Sequence, residues 1–216
     1  MQKDDPKPLN MGSNVCLSIA YLAPIEYYIA LAKADKVYLE YCEHYEKQSY
    51  RNRCSIAAAN GKMALSIPVE KLSGAKVLTK DIRISLHNDW QIQHWRSIES
   101  AYNSTPFFEF YKDDLFPFYE RNWEFLWDFN IEIQAKILEL LDLQSDIHFT
   151  EKYQSSLNKD ILDLRESIHP KTEIKLQNFK PYYQVFEQRF GFQPNLSIID
   201  LLFNMGNESQ LIIHNS

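Results

Sequence analysis

The feature that most constrains the fold is a strand, helix and strand pattern near the start of the chain. Residues 15–22 (VCLSIAYL) form an apolar run that is too short for a helix and is predicted to be a buried strand. Pro24 suits the start of a helix, where its missing N–H group costs nothing, and apolar residues follow it at helical spacing. Residues 36–42 (KVYLEYC) predict a second strand, and a crossover of this length favours a parallel pair.

Helical patterns dominate the second half of the chain. Further strands are predicted at residues 62–69, 81–86 and 146–150, and helices at 90–103, 106–121, 122–143, 181–190 and 196–205, with Asn195 as a helix cap. Residues 43–61 lack a clear period and are predicted to be irregular and exposed. These patterns indicate an α/β fold, with a three-layer-like sheet of mostly parallel strands in the N-terminal half and an α-rich second half.

The length and polarity of the chain favour one domain. At 216 residues the chain is within the range of a single domain, which we place at residues 15–216. Residues 1–14 are polar, contain two prolines and are predicted to be a disordered tail. The segment around residues 151–180 is polar without a sustained period, which predicts an excursion over the surface.

Charge and composition exclude several functional classes. The 23 basic residues against 29 acidic residues give a net charge of −6, and no dense basic run is present, so nucleic acid is not expected as the main ligand. Three scattered cysteines suit a reducing compartment, and no apolar run reaches the length of a membrane span. We therefore expect a cytoplasmic protein with no membrane span and no metal site.

One polar segment after the second predicted strand contains several chemically useful side chains. Open α/β sheets bind ligands at the carboxyl ends of their strands, and residues 43–53 begin at such an end. His44 is a candidate acid or base, and the Lys47 ammonium, the Asn52 amide and the guanidinium groups of Arg51 and Arg53 are candidates for binding an anionic group. The alternative is a solvated loop whose glutamates pair with its basic residues.

A second candidate lies on the helix predicted over residues 90–103. His94 borders the apolar stripe of this helix, and Glu99 is on the same helix, so together they form a possible second half of a site. The alternative for His94 is a packed histidine with a bonded ring nitrogen. Glycine-rich phosphate motifs and a GxSxG nucleophile motif are absent from the sequence, which excludes those motif-based assignments.

Several motifs in combination resemble one protein family. They are the proline-start helix after the first strand, the KxxYxNR stretch at residues 47–53, the WxxxHWxxIxxxY helix at 90–102 and the NLSIIDLLFN ending at 195–204. In these features the chain resembles the WbqC-like protein family, particularly its Bacteroidetes-type members. The polar positions that match are Tyr27, His44, Lys47, Tyr50, Asn52, Arg53, His94, Glu99, Asp200 and Asn204.

The resemblance implies a transferase of surface-polysaccharide (O-antigen type) biosynthesis that adds glycine or another acyl group to a sugar. On this interpretation His94 or His44 is the catalytic base, and Lys47, Tyr50, Asn52, Arg53, Glu99 and Tyr27 bind a sugar or nucleotide-sugar substrate. The cofactor is left unknown. Two alternatives stay open: a non-catalytic scaffold that binds protein partners of a polysaccharide assembly complex, and an adenylate-forming or nucleotidyl-transfer enzyme that uses a helix N-terminus.

Overall fold

A parallel sheet forms the centre of the protein, for which the computed structural model describes residues 13–71, 76–86, 89–172 and 179–216. The elements in chain order are β1 (Ser13–Leu17), α1 (Ile25–Lys33), β2 (Ala34–Leu39), β3 (Arg53–Ala58), β4 (Gly61–Ser66), α2 (Trp90–Tyr102), α3 (Phe108–Leu115), α4 (Pro117–Glu120), α5 (Leu126–Leu140), β5 (Ile147–Phe149), β6 (Ile161–Asp163), α6 (Glu187–Phe190), α7 (Ile198–Met205) and α8 (Ser209–Asn215). The predicted α/β class and the mostly parallel sheet are confirmed.

The first strand, helix and strand unit forms as predicted. β1 and β2 pair in parallel with Val15 opposite Val37 and Leu17 opposite Leu39, and α1 crosses between them. Pro24 precedes the first residue of α1, whose apolar side chains are buried against the sheet. β1 ends at Leu17, five residues earlier than predicted, so Ser18 lies just beyond the strand instead of inside it.

The sheet has the strand order β5-β2-β1-β6, with all neighbours parallel. The strand predicted at residues 146–150 is confirmed as β5. β6 pairs with β1 although it lies within the segment predicted to be a surface excursion. Its three residues carry too short an apolar pattern to stand out from the polar sequence around them. The predicted tail lies almost entirely in residues 1–12, which are outside the described residues.

A two-stranded hairpin corrects the prediction for residues 43–61. β3 pairs with β4 in an antiparallel register, from Arg53 opposite Ser66 to Ala58 opposite Gly61. Cys54 and Ile56 are buried on one face of β3, but the short side chains around them give a weak strand signal. Glu43, Ser49, Tyr50 and Arg51 are also buried, so this segment is neither wholly irregular nor wholly exposed.

The helices predicted at 90–103, 122–143 and 196–205 form as α2, α5 and α7, whereas the one predicted at 106–121 is divided into α3 and α4 and the one predicted at 181–190 is reduced to α6. Trp90, His94, Ile98 and Tyr102 are buried along one face of α2. Residues 81–86 were predicted to be a strand, but the structure shows only isolated bridges there, including one between Val69 and Ile84. The buried apolar residues form one hydrophobic cluster across these elements. None of the helices in the described parts of the chain is long and apolar enough to cross a membrane.

Candidate functional site

Polar side chains collect where the four parallel strands end. Ser18 follows β1, Glu40 follows β2, Thr150 follows β5, and Arg165 lies two residues beyond β6. Because all four strands run in the same direction, their carboxyl ends meet at one edge of the sheet. Ligands of open α/β sheets bind at this edge, so these residues are in the position expected for a site.

The first charged group at this edge centres on Arg165. Its Nη1 atom donates to Glu40 Oε2 at 2.8 Å, and its Nε atom donates to Asp163 Oδ1 at 2.9 Å. Thr150 Oγ1 donates to the other carboxylate oxygen of Glu40. The hydrogen bonds that Arg165 donates to Asp163 raise the pKa of Arg165, which keeps the guanidinium charged despite its burial. Two carboxylates therefore fix this guanidinium in one orientation.

The second charged group joins Arg51, Glu43 and Ser18. Arg51 donates to both carboxylate oxygens of Glu43, with a distance of 2.7 Å from Nε to Oε1. Its Nη2 atom also donates to Ser18 Oγ at 2.9 Å, and Ser18 Oγ donates to Glu43 Oε2 at 2.7 Å. Burial raises the pKa of Glu43, while the hydrogen bonds and charge of Arg51 oppose this rise.

The two groups share a cleft between the ends of β1 and β6. Its volume is about 270 Å³ including the part open to solvent, and the enclosed part has room for about one water molecule. The lining residues are Leu17, Ser18, Ile19, Ala20, Tyr27, Tyr50, Arg51, Leu164, Arg165 and Ile168. The cleft therefore combines two guanidinium groups and a hydroxyl group with apolar and aromatic walls.

Comparison with known proteins identifies the family. The sequence profile of the WbqC-like protein family matches residues 20–174 and 164–212, which include nearly all of the fold and all the strand ends after β1. The chain belongs to the WbqC-like protein family. The uncharacterized protein Rv1507c of Mycobacterium tuberculosis is similar, with 25% identity over 210 residues that cover 85% of this chain and 89% of that protein. No solved structure matches this WbqC-like chain.

Two of the sequence-predicted residues of this WbqC-like protein line the cleft. Tyr27 is buried and its hydroxyl donates to the backbone carbonyl of Ser18 at 3.1 Å, which fixes the end of β1. Tyr50 lies in the same wall, and its backbone carbonyl accepts a hydrogen bond from the N–H group of Tyr21. Burial raises the pKa of Tyr50 to about 12, so its hydroxyl is neutral at physiological pH.

The other candidates from residues 43–53 lie outside the cleft lining. His44 and Lys47 are exposed, and the backbone of His44 forms a bridge with Leu78. The Asn52 side-chain amide donates to the carbonyl of Ile67 at 2.8 Å and so anchors the hairpin. Arg53 begins β3, and its Nε atom donates to Ser66 Oγ across the hairpin at 3.0 Å.

His94 and Glu99 are also separate from the cleft lining. His94 is buried, and its Nδ1 atom lies 3.0 Å from the hydroxyl of Tyr21, which in turn is 2.8 Å from the hydroxyl of Tyr119. Burial lowers the pKa of His94 to about 4, so the ring is neutral at physiological pH. Glu99 is exposed on α2. The structure therefore gives His94 the surroundings of a packed, hydrogen-bonded histidine, and its catalytic role stays a prediction without support from this geometry.

Sequence reasoning missed Ser18 and Arg165, which the cleft brings together with Arg51. Ser18 was placed inside a strand, and the family resemblance selected Arg53 and not Arg51, because sequence alone does not show which of the two side chains points inward. Arg165 was not recognised as a site residue because β6, the strand that it follows, was not predicted. The usable signal was position, since a polar residue directly after each apolar run marks the carboxyl end of a strand.

The described residues contain no group of three or more His, Cys, Asp and Glu side chains arranged to hold a metal ion.

The N–H groups at the start of α1 are bound by other groups of the protein. The N–H group of Ile25 donates to the carbonyl of Leu196, and that of Glu26 donates to Asn195 Oδ1. Two donors that a phosphate would use at this helix N-terminus are therefore bound within the protein.

Proposed function

We propose that this WbqC-like protein is a cytoplasmic transferase of surface-polysaccharide synthesis. Its substrate is a sugar or nucleotide-sugar, to which it adds an acyl group such as glycyl. The observation that carries the proposal is the cleft at the carboxyl ends of β1 and β6, lined by Arg51, Arg165 and Ser18. The family resemblance suggests the sugar chemistry, and the position of the cleft in the sheet suggests where that chemistry takes place.

The buried charges favour a binding role for this edge of the sheet. Removing Arg51 and Glu43 from water is unfavourable, and replacing such pairs with apolar residues often stabilises a protein. A charged network that lines a cleft is therefore better explained by recognition of a polar ligand than by stability alone. Because the enclosed part of the cleft is small, the substrate is expected to bind at its open mouth.

The geometry favours sugar acylation over adenylate formation or nucleotidyl transfer. The nucleotidyl-transfer alternative requires the N-terminus of α1 to bind phosphate. The N–H groups of Ile25 and Glu26 at this N-terminus already donate to Leu196 and Asn195. A scaffold would not need two buried guanidinium groups held by buried carboxylates in the lining of a cleft.

The proposal is tested by assaying the purified full chain with a panel of nucleotide-sugars and acyl thioesters. We expect an acylated sugar, detected by mass spectrometry, and a rise in melting temperature with the sugar that is accepted. Arg51→Lys is expected to lose most of the activity because lysine cannot form the bidentate contact with Glu43. Arg96→Ala, on the exposed face of α2, is the matched control and should retain it.

The opposite result would show neither a product nor a change in melting temperature with any member of the panel. The transferase proposal would then be wrong. A protein partner recovered by the full chain under the same conditions would support the scaffold alternative.

A further inference from the structure

Ser18 has an unusual position among the hydroxyl groups of the site. It follows the last residue of β1, lines the cleft and is only partly buried. Its Oγ atom donates to Glu43 Oε2 at 2.7 Å, a much shorter contact than the 3.5 Å to the backbone carbonyl of Arg165. The hydroxyl proton is therefore directed at a carboxylate, as it is in sites that activate a hydroxyl nucleophile.

The partners of Ser18 suit proton transfer and charge stabilisation. Glu43 is the acceptor, and its burial raises its pKa, which increases its affinity for a proton. Arg51 Nη2 lies 2.9 Å from Ser18 Oγ on the same side as Glu43. When Glu43 takes up the proton, the charge of Arg51 is no longer neutralised by that carboxylate, and it can stabilise negative charge that develops beside Ser18.

The other hydroxyl groups near the cleft lack this combination. Tyr27 donates to the backbone carbonyl of Ser18, and its pKa is raised well above the usual value by burial. Thr150 Oγ1 donates to Glu40 but is not part of the cleft lining. Ser49 donates to the backbone carbonyl of Glu46. Among the residues that the structure describes, Ser18 supplies the hydroxyl group that both lines the cleft and donates to a carboxylate.

We infer that Ser18 is the nucleophile of this site and carries the acyl group as an ester before it reaches the sugar. The inference rests on the proposed function and adds a covalent intermediate and a donor class, an acyl thioester. Ser18 Oγ bonds to the acyl carbon, the carbon–sulfur bond breaks, and the Ser18 proton passes through Glu43 to the departing thiolate. A sugar amine or hydroxyl then attacks the ester, the bond to Ser18 Oγ breaks, and the proton of the sugar group returns through Glu43 to Ser18.

The test uses the purified full chain and the acetyl thioester of N-acetylcysteamine, without sugar. We expect intact-mass spectrometry to show one added acetyl group, and peptide mapping to place it on Ser18. Ser18→Ala should abolish the adduct, and Glu43→Gln should slow its formation by about a hundredfold or more because the proton acceptor is lost. Ser97→Ala, which changes a partly exposed serine on α2 whose hydroxyl donates to the backbone carbonyl of Gln93, should leave labelling unchanged.

A second variant keeps the test decisive if Ser18→Ala does not fold. Ser18→Cys retains a nucleophile of similar size, and we expect it to form an acetyl thioester at the same position. Circular dichroism melting curves identify which variants are folded before labelling is compared. A folded Ser18→Cys variant that stays unlabelled while wild type is labelled elsewhere would overturn the inference.

The outcomes separate this inference from the proposed function. Two results would contradict the role of Ser18 as nucleophile but still support the transferase proposal. One is acylated sugar formed by the Ser18→Ala variant, and the other is acylated sugar formed by wild type without an adduct in quenched samples. An adduct on Ser18 that only water removes, with every sugar of the panel left unmodified, would support the nucleophile and overturn the transferase. Absence of both adduct and product would overturn both.

Discussion

Two arginines that are two positions apart in sequence occupy opposite environments. Arg51 is buried against Glu43, whereas Arg53 is partly exposed on the hairpin. We predict that Arg51→Ala lowers the free energy of unfolding by about 3–5 kcal/mol, because it leaves the Glu43 carboxylate buried without its partner. Arg53→Ala should change it by about 0.5 kcal/mol or less, as is usual for surface positions. Urea denaturation measures both values.

The control for this prediction is the double variant Arg51→Ala/Glu43→Ala. Removing both charges should recover part of the stability lost in Arg51→Ala, because no unpaired buried charge remains. Equal losses for Arg51→Ala and Arg53→Ala would contradict the environments described for these two residues.

A buried carboxyl at the start of α7 makes stability depend on pH. Asp200 accepts hydrogen bonds from Tyr102, Tyr182 and Gln184, yet burial raises its pKa from 3.8 to about 6. Between these values the folded state holds a proton that the unfolded state has lost. The contribution of Asp200 to stability therefore falls as pH rises through this window, by an amount on the order of 3 kcal/mol.

The measurement compares wild type with Asp200→Asn by urea denaturation across the same pH window. The asparagine variant cannot ionise, so we expect the difference in unfolding free energy between the two proteins to shift in favour of the variant as pH rises. If the difference in unfolding free energy between wild type and Asp200→Asn stays constant from pH 3.8 to about pH 6, the pKa of Asp200 is not raised in the folded protein.

At the scale of elements, α1 is capped from a distant part of the chain. Asn195 was predicted to cap the helix that follows it, but its Oδ1 atom instead accepts the N–H group of Glu26 at 2.9 Å. The residue before α7 is Ser197, which makes no side-chain capping bond. The cap therefore ties α1 to the segment before α7, which sequence-local rules for helix starts do not anticipate.

Substitutions at Asn195 separate the cap from the backbone conformation. Asn195 has a φ of 54°, which glycine adopts readily and alanine does not. We predict that Asn195→Gly lowers the free energy of unfolding by about 1 kcal/mol through loss of the cap, and that Asn195→Ala lowers it by about 1 kcal/mol more. Thermal denaturation shows which of the two variants is the more stable. An alanine variant as stable as the glycine variant would argue against the strained backbone.

At the scale of the whole molecule, the sequence predicted elements better than the site. The unit of β1, α1 and β2 has strong local signals: a short apolar run, a helix-starting proline and a second apolar run. β3 and β6 were missed because one is rich in small side chains and the other has three residues. A strong local pattern is enough to predict an element from sequence. Where the pattern is weak, as in β3 and β6, pairing with a neighbouring strand decides whether the segment becomes a strand.

The cleft was harder to predict because its parts are distant in sequence. Ser18 and Arg165 are separated by 147 positions and meet only because β1 and β6 are neighbours in the sheet. Tyr27 and Tyr50, which came from the family resemblance and not from any local pattern, line the cleft, and their role in substrate binding stays a prediction. Sequence position can suggest that a strand end is functional, but the strand order decides which ends come together.

The measurement that tests the placement of the site most directly is a crystal structure of the protein with a nucleotide-sugar bound. We predict electron density for the sugar at the mouth of the cleft between β1 and β6, in contact with Ser18, Arg51 or Arg165. Density beside His44 or Glu99, with the cleft left unchanged, would contradict this placement and return the site to the positions that the sequence alone suggested.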